Sequence, residues 1–258
     1  LQDLADSVPC WWHSIDLGHG VVTRGRKTAD CIRAELASFR LPELRGKSVL
    51  DIGAWDGVYS FEAERLGADR VVALDYYAWS LDQVKMSAYW TEFTKNGRTL
   101  PEWHMLPGVW QPDTLPGKTG FDTAHRALDS KVEAVVGDFL TMDLDTLGTF
   151  DVVLFLGVLY HLRDPLGALQ RVARLTRELA VIETAGIVVP GREDLALCEF
   201  YPSDELCKDP TNWWAPNAKA LEGLCLAAGF GRAEVLNKPR RRPFAKFQRC
   251  RHVAHAWK

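Results

Sequence analysis

The chain has 258 residues, of which 47% are hydrophobic, and its formal net charge is −3. This length is enough for one substantial core, and the acidic balance excludes a global basic field that would hold the protein on nucleic acid. No run of 18 apolar residues exists, so no membrane span is predicted. The first residues do not resemble a charged-then-apolar leader, so a cytoplasmic protein is expected.

Six cysteines are scattered along the chain without a Cys-x-x-Cys pair. Clustered cysteines would indicate a disulfide framework or a zinc site, so reduced thiols and no metal are predicted here. Cys31 and Cys225 occupy apolar positions of helical patterns, the positions that face a core. The ten tryptophans are many for this length, and several lie outside the apolar runs that build a core.

Residues 1–46 are predicted to form an irregular arm followed by a helix over residues 28–39, where apolar residues recur at helical spacing. The arm carries Trp11 and Trp12, followed by His13. Tryptophans in such an arm can fasten it to the domain, or they can form a lid over a ligand. The sequence leaves both interpretations open.

Residues 47–75 constrain the function more than any other segment. A short apolar run from Ser48 ends in a glycine-containing turn, a helical pattern begins at Val58, and a second apolar run ends at Asp75. This order of strand, turn, helix and strand is the first half of a Rossmann-type unit. Glycines let the turn approach a ligand, and a carboxylate at the tip of the second strand can accept hydrogen bonds from a ribose. The segment therefore predicts a nucleoside site.

The glycine spacing in the turn narrows the choice of ligand. A dinucleotide fingerprint would need glycine at positions 55 and 58, where this chain has Trp55 and Val58. The turn instead follows the pattern D-x-G-x-x-x-G from Asp51, and it contains Asp56. A carboxylate there would repel a pyrophosphate but suits the ammonium group of a methionyl moiety. The alternative is a glycine turn that serves only as a tight connection.

The segment after Asp75 is predicted to form a helix over residues 78–93 and a long loop over residues 94–119. Proline and glycine recur through that loop, which contains Trp110, and loops of this length in compact domains are often functional. A helix over residues 121–128 and a third strand over residues 132–136 follow. Asp138 follows this strand, and one interpretation is that its side chain does no more than cap the strand end.

Tyr160 and His161 come shortly after the fourth predicted strand, residues 150–156, which is apolar throughout its second half. Such a run is expected of a central parallel strand buried on both faces. Ligands bind open α/β sheets at the carboxyl ends of their central strands, so both side chains are predicted to lie beside a ligand. A purely structural histidine is the alternative. Asp164 and Pro165 then have the types that cap and begin a helix, which should reach residue 176.

The last third of the chain is predicted to contain a fifth strand over residues 179–183 and a second insertion over residues 186–216. A helix over residues 218–228 and two terminal strands, at 233–236 and 247–256, complete the alternation. A basic hairpin at residues 238–242 joins the two strands, and its three arginines could touch phosphate or form a solvated turn.

The first motif resembles that of the class I S-adenosylmethionine (SAM) methyltransferases. Later blocks resemble the tRNA wobble-uridine (mo5U34/cmo5U34) methyltransferase family and its relatives, over most of residues 9–256; they are GVLYH from Gly157, DPL from Asp164, VIET from Val181 and WAPNAKAL from Trp214. The resemblance implies an α/β fold with a Rossmann-like seven-stranded sheet and helices on both faces. Residues 1–46 would cover the cofactor, and residues 47–258 would be the SAM-dependent domain, with insertions at 94–119 and 186–216.

The resemblance also implies a cofactor site. The cofactor would be SAM, with S-adenosylhomocysteine as product, in preference to carboxy-SAM. In the family pattern Asp138 accepts from the adenine amine, Phe139 packs on the ring, and Tyr160 lies by the transferred group. The residues expected at the cofactor are Trp12, Asp51, Gly53, Ala54, Trp55, Asp56, Gly57, Asp75, Tyr76, Asp138, Phe139, Leu156, Gly157 and Tyr160.

Because a sulfonium methyl is already activated, the protein mainly has to align nucleophile, carbon and sulfur. A base helps when the acceptor is a hydroxyl or a protonated amine. His161 is the first candidate because imidazole titrates near neutrality, and His13 is the second. The Tyr160 ring would favour the cationic sulfur. The residues expected to wall the acceptor are Trp213, Trp214, Tyr201 and Trp110.

Three functions remain open from the sequence. The prediction is a SAM-dependent methyltransferase acting on an oxygen or nitrogen of a small molecule, such as a natural-product intermediate. The alternatives are a tRNA wobble-uridine methyl- or carboxymethyltransferase and a non-catalytic SAM-binding module. We expect the chain to lack the tRNA enzyme's long N-terminal extension and to carry His13 where that enzyme has a carboxylate-binding lysine. Both departures favour a small-molecule partner over tRNA.

Overall fold

The computed structural model describes residues 1–237 and 247–258. Within them the chain forms two compact units, Leu1–Met142 and Asp143–Lys258. The predicted basic hairpin at residues 238–242 lies outside the described residues. The division predicted from the sequence, residues 1–46 against residues 47–258, stays a prediction.

Seven strands form one mostly parallel sheet, which confirms the predicted fold class. The strands in chain order are β1 (Ser48–Ile52), β2 (Arg70–Asp75), β3 (Glu133–Val136), β4 (Phe150–Leu156), β5 (Thr176–Val188), β6 (Cys198–Phe200), β7 (Trp214–Pro216), β8 (Arg232–Val235) and β9 (Gln248–Trp257). The order across the large sheet is β3-β2-β1-β4-β5-β9-β8, and β6 and β7 form a separate two-stranded ribbon. β9 runs antiparallel to both of its neighbours, β5 and β8.

Most of the predicted helices are confirmed. The helices are α1 (Gln2–Asp6), α2 (Ala29–Phe39), α3 (Val58–Arg65), α4 (Tyr77–Ser80), α5 (Gln83–Lys95), α6 (Thr119–Ala127), α7 (Pro165–Leu175) and α8 (Ala218–Ala227). The predicted cap of α7 is present, since the Asp164 side chain accepts from the Gly167 amide at 2.9 Å. Thr28 and Asn217 cap α2 and α8 in the same way.

The single helix predicted over residues 78–93 is wrong, because the chain forms two helices there, α4 and α5. Leu81 ends α4 in an extended conformation and forms an isolated bridge with Trp110. Asp82 then starts α5, and its side chain accepts from the Lys85 amide at 3.0 Å. Helical periodicity continues across the break, so the apolar pattern alone does not show it.

The long loop at residues 94–119 packs against the preceding segment in a hydrophobic cluster. The buried members of this cluster are Leu81, Met86, Phe93, Leu100, Trp103, Leu106 and Val109. The loop also contains two short 3-10 helices, Trp103–Met105 and Pro116–Lys118. The loop is therefore an ordered part of the first unit, with apolar side chains packed on α5.

In the second unit, β5 is much longer than the predicted span of residues 179–183. It pairs with β9 from Leu179 to Val188, and the ring of His252 occupies the space in which a side chain at Gly186 would lie. A Cβ at position 186 would come within 2.1 Å of that ring. The β6–β7 ribbon within residues 186–216 was not predicted, because each strand has only three residues.

The two cysteines at apolar helical positions have different environments. Cys225 is fully buried in α8, as its position indicates. Cys31 is exposed, so the core position inferred for it is wrong: α2 turns that residue to solvent. Among the described residues, no group of three or more histidine, cysteine or acidic side chains could hold a metal ion.

Within the described part of the chain, no helix has both the length and the apolar character that crossing a membrane requires.

Candidate active site

The turn after β1 brings two of the predicted cofactor residues into contact. Asp75, at the end of β2, accepts from the Trp55 amide through Oδ2 and from the Ala78 amide through Oδ1, both at 2.9 Å. Trp55 itself adopts a left-handed conformation, with φ of 50°. Burial raises the pKa of Asp75 to about 6, although backbone hydrogen bonds oppose the rise.

Asp51 is a second buried carboxylate at the same turn, 1% exposed. Its Oδ2 accepts from the Ser60 hydroxyl at 2.6 Å. Burial raises the pKa of Asp51 to about 7, and the charge of Asp75 raises it further. A ligand that brings hydroxyl donors or positive charge would stabilise both ionised carboxylates. These two acceptor groups fit the hydroxyls of the sugar and the ammonium group of SAM.

The glycines of this turn hold it tightly against α3 and α6. Gly53 and Gly57 have φ of 79° and 82°, a region that side chains rarely adopt. A Cβ at Gly57 would approach Phe121 to 2.6 Å and Phe61 to 2.7 Å. The Gly53 and Ala54 amides both donate to the Leu74 carbonyl, which ties the turn to β2.

Asp56 is bonded to the N-terminal arm. Its Oδ2 accepts from the Trp12 amide at 2.7 Å and from the His13 amide at 2.9 Å. The carboxylate is 1% exposed. The proposed contact of Asp56 with a ligand ammonium group stays a prediction, and what the contacts show is that this side chain fixes the arm.

The two tryptophans of the arm have different environments. Trp11 is buried, and its indole donates to the Ala5 carbonyl at 2.9 Å, a bond within the arm itself. Trp12 is only partly buried and stacks on Trp55, with ring centroids 4.5 Å apart and planes 11° apart. Arg26 lies 5.7 Å from the Trp12 ring. Trp12 therefore covers the turn at which the cofactor residues are predicted.

His13, the second candidate base, is buried between aromatic rings. Its ring meets Trp55 and Tyr59 edge-on, at 6.0 Å and 5.7 Å. Its Nδ1 lies 3.6 Å from Asp56 Oδ2, too far for a normal hydrogen bond. Burial lowers the pKa of His13, against the opposing effect of Asp56, so the ring is neutral at pH 7. Its role as a base stays a prediction.

The remaining predicted residues of the first unit lie near the ends of β2 and β3. Asp138 accepts from the Leu140 amide and the Thr141 hydroxyl, both at 2.9 Å, so its carboxylate closes its own turn. Phe139 is buried beside it. Trp110 packs on Tyr76 and Tyr77, the residues after Asp75. The adenine contacts of Asp138 and Phe139 and the acceptor contact of Trp110 stay predictions.

In the second unit, Tyr160 belongs to a charged cluster. Arg251 lies over the Tyr160 ring at 4.5 Å, and its Nε and Nη2 bond both carboxylate oxygens of Glu183. Burial raises the pKa of the Tyr160 phenol, while the Arg251 charge lowers it. Gly157 has φ of 76°, and a Cβ there would be in van der Waals contact with all three side chains, at 3.7–4.0 Å. Leu156, which precedes it, is buried at the end of β4.

His161 is held in one tautomer by a chain of hydrogen bonds. The Thr211 hydroxyl donates to Asp209 Oδ1 at 2.7 Å, so it is left to accept from His161 Nδ1 at 2.9 Å. The Thr211 carbonyl, which can only accept, lies 3.2 Å from the same nitrogen. The proton is therefore on Nδ1, and Nε2 carries the lone pair. Burial lowers the pKa of His161, while the Asp209 charge opposes the fall, so the imidazole is neutral and can act as a base.

Three of the predicted acceptor residues come together in the second unit. The Trp213 amide donates to the Tyr160 carbonyl at 2.8 Å, and the Tyr201 amide donates to the Trp213 carbonyl at 2.9 Å. The Trp214 indole reaches the Arg163 carbonyl at 3.4 Å. Tyr201 is buried, and its hydroxyl donates to Glu199 at 2.6 Å, which suits a structural role. Contact of these residues with an acceptor stays a prediction.

Four residues of the candidate site were not predicted from the sequence. Glu183 could have been found from the sequence, because an acidic residue at the end of an apolar strand is unusual. Its partner Arg251 has no such feature. Arg251 is one of several basic residues in a terminal strand, and only the pairing of β5 with β9 brings it to Glu183. Thr211 and Asp209 lie in an irregular loop whose path the sequence does not predict.

The seven-stranded sheet and the glycine turn with its buried carboxylates define the class I SAM-dependent methyltransferase fold. The chain belongs to the methyltransferase domain family, which matches residues 25–231. SAM is the cofactor of that class of protein.

Two tRNA U34 carboxymethyltransferases are similar to the chain in sequence. The one from Syntrophotalea carbinolica is 26% identical over 190 residues, which are 74% of this chain and 46% of that protein. The one from Pseudomonas aeruginosa strain LESB58 is 32% identical over 198 residues, 76% of this chain and 48% of that protein. The chain spans about half the length of the curated relatives it matches.

A solved structure shares the fold. The N-terminal domain of EvdMO1 with S-adenosylhomocysteine bound superposes with a TM-score of 0.58 at 20% identity, covering 99% of this chain and 94% of that one. At this identity the likeness supports the fold alone.

Proposed function

We propose that the chain transfers the methyl group of SAM to an oxygen or nitrogen atom of a small molecule. The single observation that carries the proposal is the oriented, neutral imidazole of His161, whose Nε2 carries the lone pair. When bound, SAM supplies a methyl group already activated on a sulfonium. With SAM bound, the acceptor atom would form its bond to the methyl carbon while the sulfur–carbon bond broke, and the sulfur would keep the electron pair. His161 Nε2 takes the proton from the acceptor.

The pairing of Arg251 favours methyl over carboxymethyl transfer. A carboxylate on the transferred group would need a cation to receive it, since an unpaired buried carboxylate is costly. The Arg251 guanidinium already uses Nε and Nη2 on Glu183. Because Glu183 balances that charge, the cluster as built suits an uncharged methyl group.

A tRNA wobble uridine is the second candidate acceptor, because the curated relatives named above are tRNA-modifying enzymes. The net charge of −3 gives this chain no overall attraction to phosphate. We therefore rank a small-molecule acceptor first.

The deciding experiment measures S-adenosylhomocysteine released from SAM by the full chain. Each reaction would contain either unmodified tRNA or one member of a panel of small phenols, carboxylic acids and amines. The proposal expects turnover with at least one small acceptor and none with tRNA. Turnover with tRNA alone would overturn it in favour of the second candidate. Binding of SAM with no turnover on either class would favour the non-catalytic SAM-binding module.

A further inference from the structure

The loop between β6 and β7, residues 201–213, carries the two residues that orient His161. Its ends are bonded to each other, because the Tyr201 amide donates to the Trp213 carbonyl at 2.9 Å. The Trp213 amide in turn donates at 2.8 Å to the carbonyl of Tyr160, the residue before His161. The position of the loop ends therefore sets where the loop meets the imidazole.

The backbone of this loop contains a strained pair of residues. Cys207 and Lys208 have φ of 58° and 55°, in the left-handed region that favours glycine. Strain of this kind persists only where the surrounding contacts hold it in place. The contacts that fix the ends of the loop are therefore expected to matter for the geometry at His161.

A bidentate ion pair fastens one end of the loop to β9. Arg249, on β9, donates from Nε to Glu199 Oε2 at 3.1 Å and from Nη2 to Oε1 at 2.6 Å. The Tyr201 hydroxyl donates to the same Oε2 at 2.6 Å, and the guanidinium lies 5.1 Å from the centre of the Tyr201 ring. Arg249 holds the pKa of Glu199 below its ordinary value, so this carboxylate is ionised at pH 7. Three charge-assisted hydrogen bonds thus converge on Glu199, and bonds of this type are stronger than neutral ones.

Apolar packing alone would leave the orientation of the ribbon less defined. Tyr201 and Ala215 pack in a hydrophobic cluster with side chains of β5. Such packing is non-directional, whereas a bidentate guanidinium–carboxylate pair fixes the direction of approach. We propose that Arg249 is a positioning residue: it fixes the end of the ribbon through Glu199, and thereby the loop that holds the His161 imidazole. The inference rests on the proposed function in that His161 serves as the base.

The test substitutes Arg249→Gln in the full chain and measures amide hydrogen exchange without SAM or acceptor. The amides of Tyr201 and Trp213 should exchange at least roughly tenfold faster, because the chain loses hydrogen bonds to a charged group at that end of the loop. Arg249→Lys keeps the positive charge without the bidentate geometry, so its rates should lie between those of wild type and Arg249→Gln.

Imidazole nitrogen-15 chemical shifts at pH 8 report the consequence for His161. The wild-type signal should show the proton on Nδ1. In Arg249→Gln the second tautomer should appear, because neither acceptor of Thr211 is then held in place beside the ring. His161→Asn assigns the signal by removing it. A loss of stability alone would not alter the tautomer in the folded protein.

Arg70→Gln is the matched control. Arg70 also pairs with a glutamate through Nε and Nη2, bonding Glu133 at 2.8 Å and 2.9 Å, but it belongs to the first unit. This variant should leave the exchange rates and the nitrogen-15 signal at their wild-type values. If Arg249→Gln did the same, the proposal would be overturned. Should Arg249→Gln not fold, the same comparison with Arg249→Lys decides.

Activity provides the last readout, with any acceptor that the panel identifies. Arg249→Gln should lower kcat by about tenfold and leave the KM of the acceptor unchanged, because the base is misplaced while the acceptor site is kept. An unchanged kcat would overturn the positioning role even if the exchange rates rose. If the wild-type chain methylates no acceptor, the proposed function fails, and the exchange and nitrogen-15 results still decide whether Arg249 holds the loop.

Discussion

Asp51 and Asp75 are two buried carboxylates at the ends of β1 and β2, and their burial destabilises the ionised forms. Each carboxylate is buried, and their pKa values are raised to about 7 and about 6. Near neutral pH, the folded chain without ligand therefore keeps two acids partly protonated that would be ionised in the unfolded chain. Keeping these acids protonated lowers the stability of the folded chain near neutral pH. A ligand that stabilises the ionised carboxylates would restore that stability on binding.

We predict that Asp51→Asn stabilises the ligand-free protein at high pH. The unfolded carboxyl loses its proton near its ordinary pKa of 3.8, and the folded one near 7. The free energy of unfolding therefore falls as pH rises between these values, and the substitution removes that fall. The variant should gain on the order of 2–4 kcal/mol over wild type at pH 8 and clearly less at pH 5. Urea unfolding at both pH values measures the difference.

Asp69→Asn is the control for this prediction, because Asp69 is exposed. Its difference from wild type should not change between the two pH values. A pH-independent gain for Asp51→Asn would contradict the burial argument.

Thr211 is a positioning residue for His161. We predict that His161→Asn lowers kcat by about 10²–10⁴-fold, the usual contribution of a general base. Thr211→Val should lower kcat by about tenfold with little change in KM, because the imidazole Nδ1 loses the shorter of its two hydrogen bonds and keeps only the carbonyl at 3.2 Å. Thr211→Ser retains the hydroxyl and should restore wild-type kcat.

The pH profile provides a second readout for the same pair of residues. Since burial holds the His161 pKa below 6.5, kcat should be flat above that pH and should fall only as the imidazole is protonated. Thr211→Val should move the acid limb of the profile, which a purely structural change would leave in place. Full kcat for His161→Asn at saturating acceptor would remove His161 as the base.

At the scale of elements, Asp56 joins the N-terminal arm to the start of α3. Its carboxylate accepts two backbone amides of the arm, at 2.7 Å and 2.9 Å. Hydrogen bonds to a charged group contribute about 1.5–3 kcal/mol each. We predict that Asp56→Ala releases the arm, so trypsin cleaves after the exposed Arg24 and Arg26 at least about tenfold faster. The cleavage rates can be measured by mass spectrometry under native conditions.

Asp16→Ala is the matched control for the arm, because Asp16 lies in the same segment and its carboxylate accepts locally, from the Gly18 amide at 2.9 Å. Trypsin should cleave this variant at the wild-type rate. Equal rates for the Asp56 and Asp16 variants would show that the carboxylate does not hold the arm.

At the scale of the whole molecule, the cofactor should stabilise the fold. A ligand at 100 times its Kd adds about 2.7 kcal/mol to the free energy of unfolding. For a chain of this size we therefore predict that SAM raises Tm by roughly 5–10 °C. The same concentration of NAD should leave Tm unchanged, because the turn lacks the dinucleotide spacing. Differential scanning calorimetry measures both, and a larger shift with NAD would contradict the assignment.

Asp75→Ala separates the ribose contact from general stabilisation. The variant should lose most of the SAM-induced shift in Tm, since the carboxylate is the predicted ribose acceptor. Phe39→Leu is a suitable control, because Phe39 is a core residue of α2, 1% exposed, and should change Tm without changing the shift. A full shift in Asp75→Ala would refute the ribose role.

Much of the fold could be predicted because patterns of neighbouring residues in the sequence determine many of its strands and helix ends. Strand β4 and the cap of α7 by Asp164 are each specified by neighbouring residues in the chain. The break at Leu81 was missed because the residue that holds it, Trp110, lies far along the sequence. Likewise, Arg251 reaches Glu183 only through β-sheet pairing, and Thr211 reaches His161 only through the path of a loop. Tertiary contacts of this kind leave no periodic signal in the sequence.

The β6–β7 ribbon bonds its strands to each other, Cys198 to Pro216 and Phe200 to Trp214, outside the ladder of the large sheet. The residues between these strands include Asp209 and Thr211, whose hydrogen bonds orient His161. The ribbon and its loop could therefore change to fit another acceptor only where this pair is kept.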